Sequence, residues 1–117
     1  MTDTPYIRPD MKAFLDMMAT LAATAPKMAD MSLEEARASY RALHAMTDRG
    51  ARAIPVMRDL ACPGPAGDIP LRLYDARESR DEPTPVVVFY HGGGFVIGDL
   101  ETHHALCSEI AASLDLP

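Results

Sequence analysis

Residues 86–99 read VVVFYHGGGFVIGD, a run of strand-forming residues that ends in a histidine and three consecutive glycines. Glycine loses more conformational freedom on folding than any other residue, so such a run marks backbone that side chains would obstruct. Three chemistries use exposed glycine backbone at the end of a strand. Phosphate binding fails on spacing: the Gly-Lys-Ser/Thr ending of a P-loop is absent, and Gly92, Gly94 and Gly98 are one residue too widely spread for a dinucleotide fingerprint. Metal binding also fails, because His103 and His104 are adjacent on an expected helix and no Cys or carboxylate spacing completes a set with His91. No metal or other cofactor is therefore expected. The remaining use is donation of backbone N–H groups to a negative charge that develops during acyl transfer, an oxyanion hole.

The elements around this loop are legible from periodicity. VVVFY is a continuous β-branched and aromatic run, expected as a strand buried on both faces of a covered sheet. After the glycines, His103, Leu106, Cys107, Ile110, Ala111 and Leu114 recur at helical spacing, with Asp99 or Thr102 as the candidate cap. Upstream, VMRDLAC and IPLRLYD alternate as strands around the turn signal PGPAGD, which predicts an antiparallel hairpin. Met11, Phe14, Leu15, Met18 and Ala22 form one helical face that Pro26 stops. A second helix begins at Ser32, whose spacing to Glu35 is that of a capping box, and runs toward Gly50 with Leu33, Ala36, Tyr40 and Leu43 as its stripe. The double-faced strand has no parallel neighbours in these 117 residues, so an exposed apolar edge is expected and the sequence reads as the front of something larger.

Composition narrows the partners. At 48% hydrophobic and 24% charged residues the chain is ordinary for one soluble domain. Its net charge is −6, and no Lys or Arg follows Arg80. That excludes nucleic acid and anionic membrane surfaces as expected partners, since both are held through clustered Lys and Arg. A small neutral substrate fits better. Cys62 and Cys107 form no C-x-x-C pair, nothing at the start reads as a signal peptide, and no apolar run reaches the roughly 18 residues that span a bilayer. A cytoplasmic location with reduced thiols is expected.

With the elements in order, HGGGF followed by GD, TH and a Cys-bearing helix resembles the hormone-sensitive-lipase-like family of α/β-hydrolases. The order of two leading helices, a hairpin, then strand and glycine loop also resembles that family's N-terminal portion. The resemblance implies an α/β-hydrolase fold, with residues 1–50 as a helical cap segment and residues 51–117 as the start of the catalytic domain. It implies a serine carboxylesterase that acts through an acyl-enzyme, with Gly93 and Gly94 supplying oxyanion-hole N–H groups and His91 and Gly92 supporting the loop. His91 is not the catalytic base on this reading, because in that family the base lies far downstream.

The chain departs from the family at His104, where relatives often carry Asp, so any polar network under the loop must differ. Seven of the eight methionines precede residue 50, which suits a wall that meets varied acyl chains, although packing of amphipathic faces is the simpler expectation for each. Ser32, Ser39, Ser79, Ser108 and Ser113 all lack the G-x-S-x-G setting of a nucleophile. The expected partner is therefore the remainder of the hydrolase domain, on the same or a companion chain. Two alternatives stand beside this: a non-catalytic ligand-binding protein on the same scaffold, as in plant gibberellin receptors, and an inert truncation product.

Overall fold

The computed structural model describes residues 5–117. Helix α1, Pro9–Thr24, starts with proline in its first turn, where the missing N–H costs nothing, and carries Asp10 near the positive end of its dipole. Helix α2, Leu33–Thr47, starts at the expected capping box: the Ser32 hydroxyl accepts the Glu35 N–H, and the Glu35 carboxylate accepts the Ser32 N–H at 2.8 Å. It ends before Gly50, because Asp48 turns extended after donating its N–H to the His44 carbonyl.

Strands β1, Val56–Cys62, and β2, Ile69–Asp75, form the expected antiparallel hairpin, with Val56 opposite Asp75 and Cys62 opposite Ile69. Asp59 and Arg72 face each other across it, and the Arg72 guanidinium takes the carboxylate with two nitrogens at 2.5 and 3.0 Å. The same guanidinium reaches Glu101 at 2.8 Å and so ties the hairpin to the approach of helix α3, His104–Leu114. The few buried residues are Ala36 on α2, Ser108 and Ala111 on α3 and Thr102 just before it, and α3 packs on β2.

Three expectations are corrected. Residues 86–90 form no strand ladder and are not buried: Val88 is 68% and Tyr90 87% exposed. The cause is the lack of a neighbour, since among the described residues this segment's one backbone hydrogen bond runs from the Val87 N–H to the Pro117 carbonyl at 2.8 Å. Neither Asp99 nor Thr102 is the N-cap of α3, which is His103; the pair instead closes the turn before it, each accepting the other's backbone N–H at 2.9 Å. Ordinary packing is not seen among the described residues for Met11 and Met17, since α1 buries none of its residues, nor for Met28 and Met46 outside that helix, which are exposed as well.

The link from β2 to the extended segment is held by charge. Asp75 and Arg80 are both largely buried and share three contacts between 2.6 and 3.2 Å, and Asp75 also accepts the Arg77 N–H. The Arg80 guanidinium holds the Asp75 carboxyl below the usual carboxylate range. A carboxylate depressed in the folded state adds stability that is present above its unfolded pKa and is lost as pH falls through the folded one. Acidification below about pH 4 should therefore lower the thermal midpoint of the complete protein, and Asp75→Asn should lower it at neutral pH while flattening that acid limb. Thermal melts across the pH range check both; parallel acid limbs would contradict the assignment.

Candidate functional site

The glycine loop spans residues 91–98. Its turn closes on the Gly93 carbonyl, which accepts the N–H groups of Val96 at 3.1 Å and Ile97 at 3.0 Å. Gly93 sits at φ 141°, and a Cβ there would lie 1.8 Å from the Ile97 carbonyl oxygen. No side chain fits that position. Gly98, at φ 93°, is crowded as well: a Cβ would meet His91 Nδ1 at 2.7 Å and the Gly92 oxygen at 2.9 Å. In the sequence Gly98 entered only a test of spacing and, as the glycine of GD, the family resemblance, with no sign of this crowding.

The other two glycines differ. Gly94 faces open space at φ 59°, a left-handed conformation, while Gly92 has open space and no positive φ. Phe95 continues the left-handed path at φ 62° with its ring fully exposed. Among the described residues, neither the Gly93 nor the Gly94 N–H has an acceptor.

Histidines pack beneath the loop. His91 donates through Nδ1 to the Gly92 carbonyl at 2.8 Å, and its ring stacks on His103 with centroids 5.1 Å apart. His103 also meets Phe89 and His44, and His44 lies against Tyr40, so an aromatic row runs from α2 to the loop. His104 faces the other way, its Nδ1 3.0 Å from the Tyr74 hydroxyl on β2. The departure at His104 is thus absorbed by the hairpin, with no hydrogen bond from His104 to the glycine loop.

The remaining candidates have structural duties. Ser108 is fully buried, accepts the Arg52 N–H and donates to the Ala105 carbonyl, each at 2.9 Å; Ser32 caps α2; Ser113 donates to Glu109. Cys62 and Cys107 are free, and burial pushes the Cys107 thiol up, away from reactivity. A shallow cleft of about 300 Å³ lies between the end of α2 and the start of α3, lined by Arg41, His44, Asp48, Glu101 and His104 and by no residue of the glycine loop. No group of three or more His, Cys, Asp or Glu side chains among the described residues could hold a metal ion.

A family model described as the α/β hydrolase fold matches residues 87–117, which hold the whole loop and α3. The carboxylic ester hydrolase LipN of Mycobacterium tuberculosis is 53% identical over 58 residues, covering 50% of this chain and 15% of that protein. Among solved structures, an ester-hydrolase from the metagenome of Lake Arreo superimposes with a TM-score of 0.79 at 26% identity, over 91% of this chain and 34% of that one. A hyperthermophilic esterase from Pyrobaculum calidifontis gives 0.74 at 29% identity, over 92% and 33%. The chain thus spans about a third of these solved esterases.

Proposed function

We propose, since this chain carries part of an α/β-hydrolase of the hormone-sensitive-lipase-like kind, that the complete protein is a serine carboxylesterase whose oxyanion loop is residues 91–98. The observation that carries this is the pairing of a Gly93 position closed to any side chain with unpartnered N–H groups on Gly93 and Gly94. A tetrahedral intermediate places a full negative charge on the former carbonyl oxygen, and two backbone donors fixed beforehand stabilise it more than the ground state. His91 holds the Gly92 carbonyl, the other end of the peptide whose N–H is that of Gly93. The nucleophilic serine, the acid and the histidine base lie outside these 117 residues on this reading, in the chain order typical of the fold.

Residues 1–50 would then form a cap segment and residues 51–117 the start of the catalytic domain. The exposed Met11, Met17 and Met46 suit a wall that meets a neutral ester. No helix among the described residues is long and apolar enough to cross a membrane, and the free thiols of Cys62 and Cys107 support a cytoplasmic location.

The test is turnover of a series of short p-nitrophenyl esters by the complete protein before and after treatment with a fluorophosphonate. Saturable hydrolysis that disappears with one phosphonyl group per polypeptide is expected. Tight ester binding with neither turnover nor labelling would contradict the enzyme and identify a ligand-binding protein on the same scaffold.

A further inference from the structure

Two arginines of α2 reach across the fold to the glycine loop. Arg37 donates from Nε to the Val96 carbonyl at 2.8 Å. The N–H of that same peptide, carried by Ile97, donates to the Gly93 carbonyl at 3.0 Å. One peptide group is therefore gripped at both ends, by α2 on the oxygen side and by Gly93 on the nitrogen side. It cannot rotate without releasing the Gly93 carbonyl, and the oxygen of the next peptide, that of Ile97, fills the space where a Gly93 side chain would be. At the loop's exit, Asp99 divides its carboxylate: one oxygen accepts the Thr102 N–H at 2.9 Å and the other pairs with Arg41. Burial alone would raise the Asp99 carboxyl, but the Thr102 amide and Arg41 outweigh it and hold the group ionised.

We infer that Arg37 and Arg41 are positioning residues that lock the oxyanion loop to α2, so that this helix sets where the Gly93 and Gly94 N–H groups point. The inference rests on the esterase reading and extends it to residues on a different element, 58 and 59 positions away in sequence from the groups they hold. Neither arginine touches the reacting atoms. Their effect is on the transition state, because an oxyanion donor turned away from its target loses the developing charge while leaving the ester's other contacts in place.

The two grips differ in kind. The Arg41 and Asp99 side chains are 58% and 27% exposed, so that pair is screened by salt and weak alone. The Arg37 bond is charge-assisted and acts on the peptide that closes the turn.

The experiment uses the complete protein with Arg37→Ala, Arg41→Ala, the double variant and Arg41→Lys. Active sites are counted by fluorophosphonate titration, so misfolded protein does not enter the rates. The double variant is expected to lose about ten-fold in kcat per active site with KM within about two-fold, and to bind a trifluoromethyl ketone of matching acyl chain about ten-fold more weakly. Arg41→Lys is expected to recover most of the loss of Arg41→Ala, and added salt should erase the difference between them. A general loss of stability would lower the titre without changing the ketone's affinity. An active wild type with unchanged kcat and ketone affinity in the double variant overturns the inference alone, as does a rise in KM alone. A wild type that neither hydrolyses esters nor binds the ketone overturns the esterase reading and this inference with it.

Discussion

Gly93→Ala in the complete protein is expected to lower kcat by about 10²- to 10³-fold, the loss typical of removing an oxyanion donor. The added Cβ would lie 1.8 Å from the Ile97 carbonyl oxygen, and Ile97 is kept from withdrawing because its own N–H is bonded to the Gly93 carbonyl and the carbonyl of the preceding Val96 to Arg37. The backbone at Gly93 must therefore leave φ 141° and take its N–H with it. KM should change much less, because the donors act on charge that exists only in the transition state.

The three glycines should rank in a definite order. Gly94→Ala meets no neighbour but must hold φ 59°, a strain of about 1–2 kcal/mol, so a loss near ten-fold is expected. Gly92→Ala meets neither obstacle and should be the mildest. Initial-rate kinetics with active-site titration check the ranking. Equal losses at all three would contradict the loop geometry.

The second large effect concerns residues 86–90. In the isolated 117-residue polypeptide Val86, Val88 and Tyr90 stand exposed on a segment whose ladder hydrogen bonds are almost all unmade. A flat apolar segment of this kind pairs with another chain, so the isolated polypeptide should self-associate, bind a hydrophobic dye strongly and melt without cooperativity. The complete protein should stay dispersed and dye-silent under the same conditions. Sedimentation and dye fluorescence on the two polypeptides make the comparison. A monodisperse 12.7 kDa species with a cooperative melt would contradict the claim that these residues need neighbouring strands.

Much of the fold was legible because its signals are local. Ser32 and Glu35 announce their own capping box, PGPAGD its own turn, and α3 its apolar face, since each depends on side chains only a few residues apart. The four residues His91 to Gly94 likewise carried the candidate site. What sequence could not give was long-range. Asp99 and Thr102 each read as a candidate cap of α3, yet the pair closes a turn and Asp99 spends its second oxygen on Arg41. Arg37 carries no local signal of its role, because a bond to a carbonyl 59 residues away leaves no periodic trace. Gly93 and Gly94 look alike in the sequence, and the approach of Ile97 and their different φ angles separate them. The run VVVFY failed as a buried strand for the same reason in reverse: its composition specifies a covered sheet, while burial and pairing belong to neighbours that the described residues do not include.

The central claim is that the Gly93 and Gly94 N–H groups receive the oxyanion. The most direct measurement is a crystal structure of the complete protein after reaction with a phosphonate, whose phosphoryl oxygen occupies the place of that charge. The account predicts this oxygen at about 2.7–3.1 Å from both amide nitrogens, with the loop turn still closed on the Gly93 carbonyl. A phosphoryl oxygen held by other donors, with Gly93 and Gly94 turned away, would contradict it.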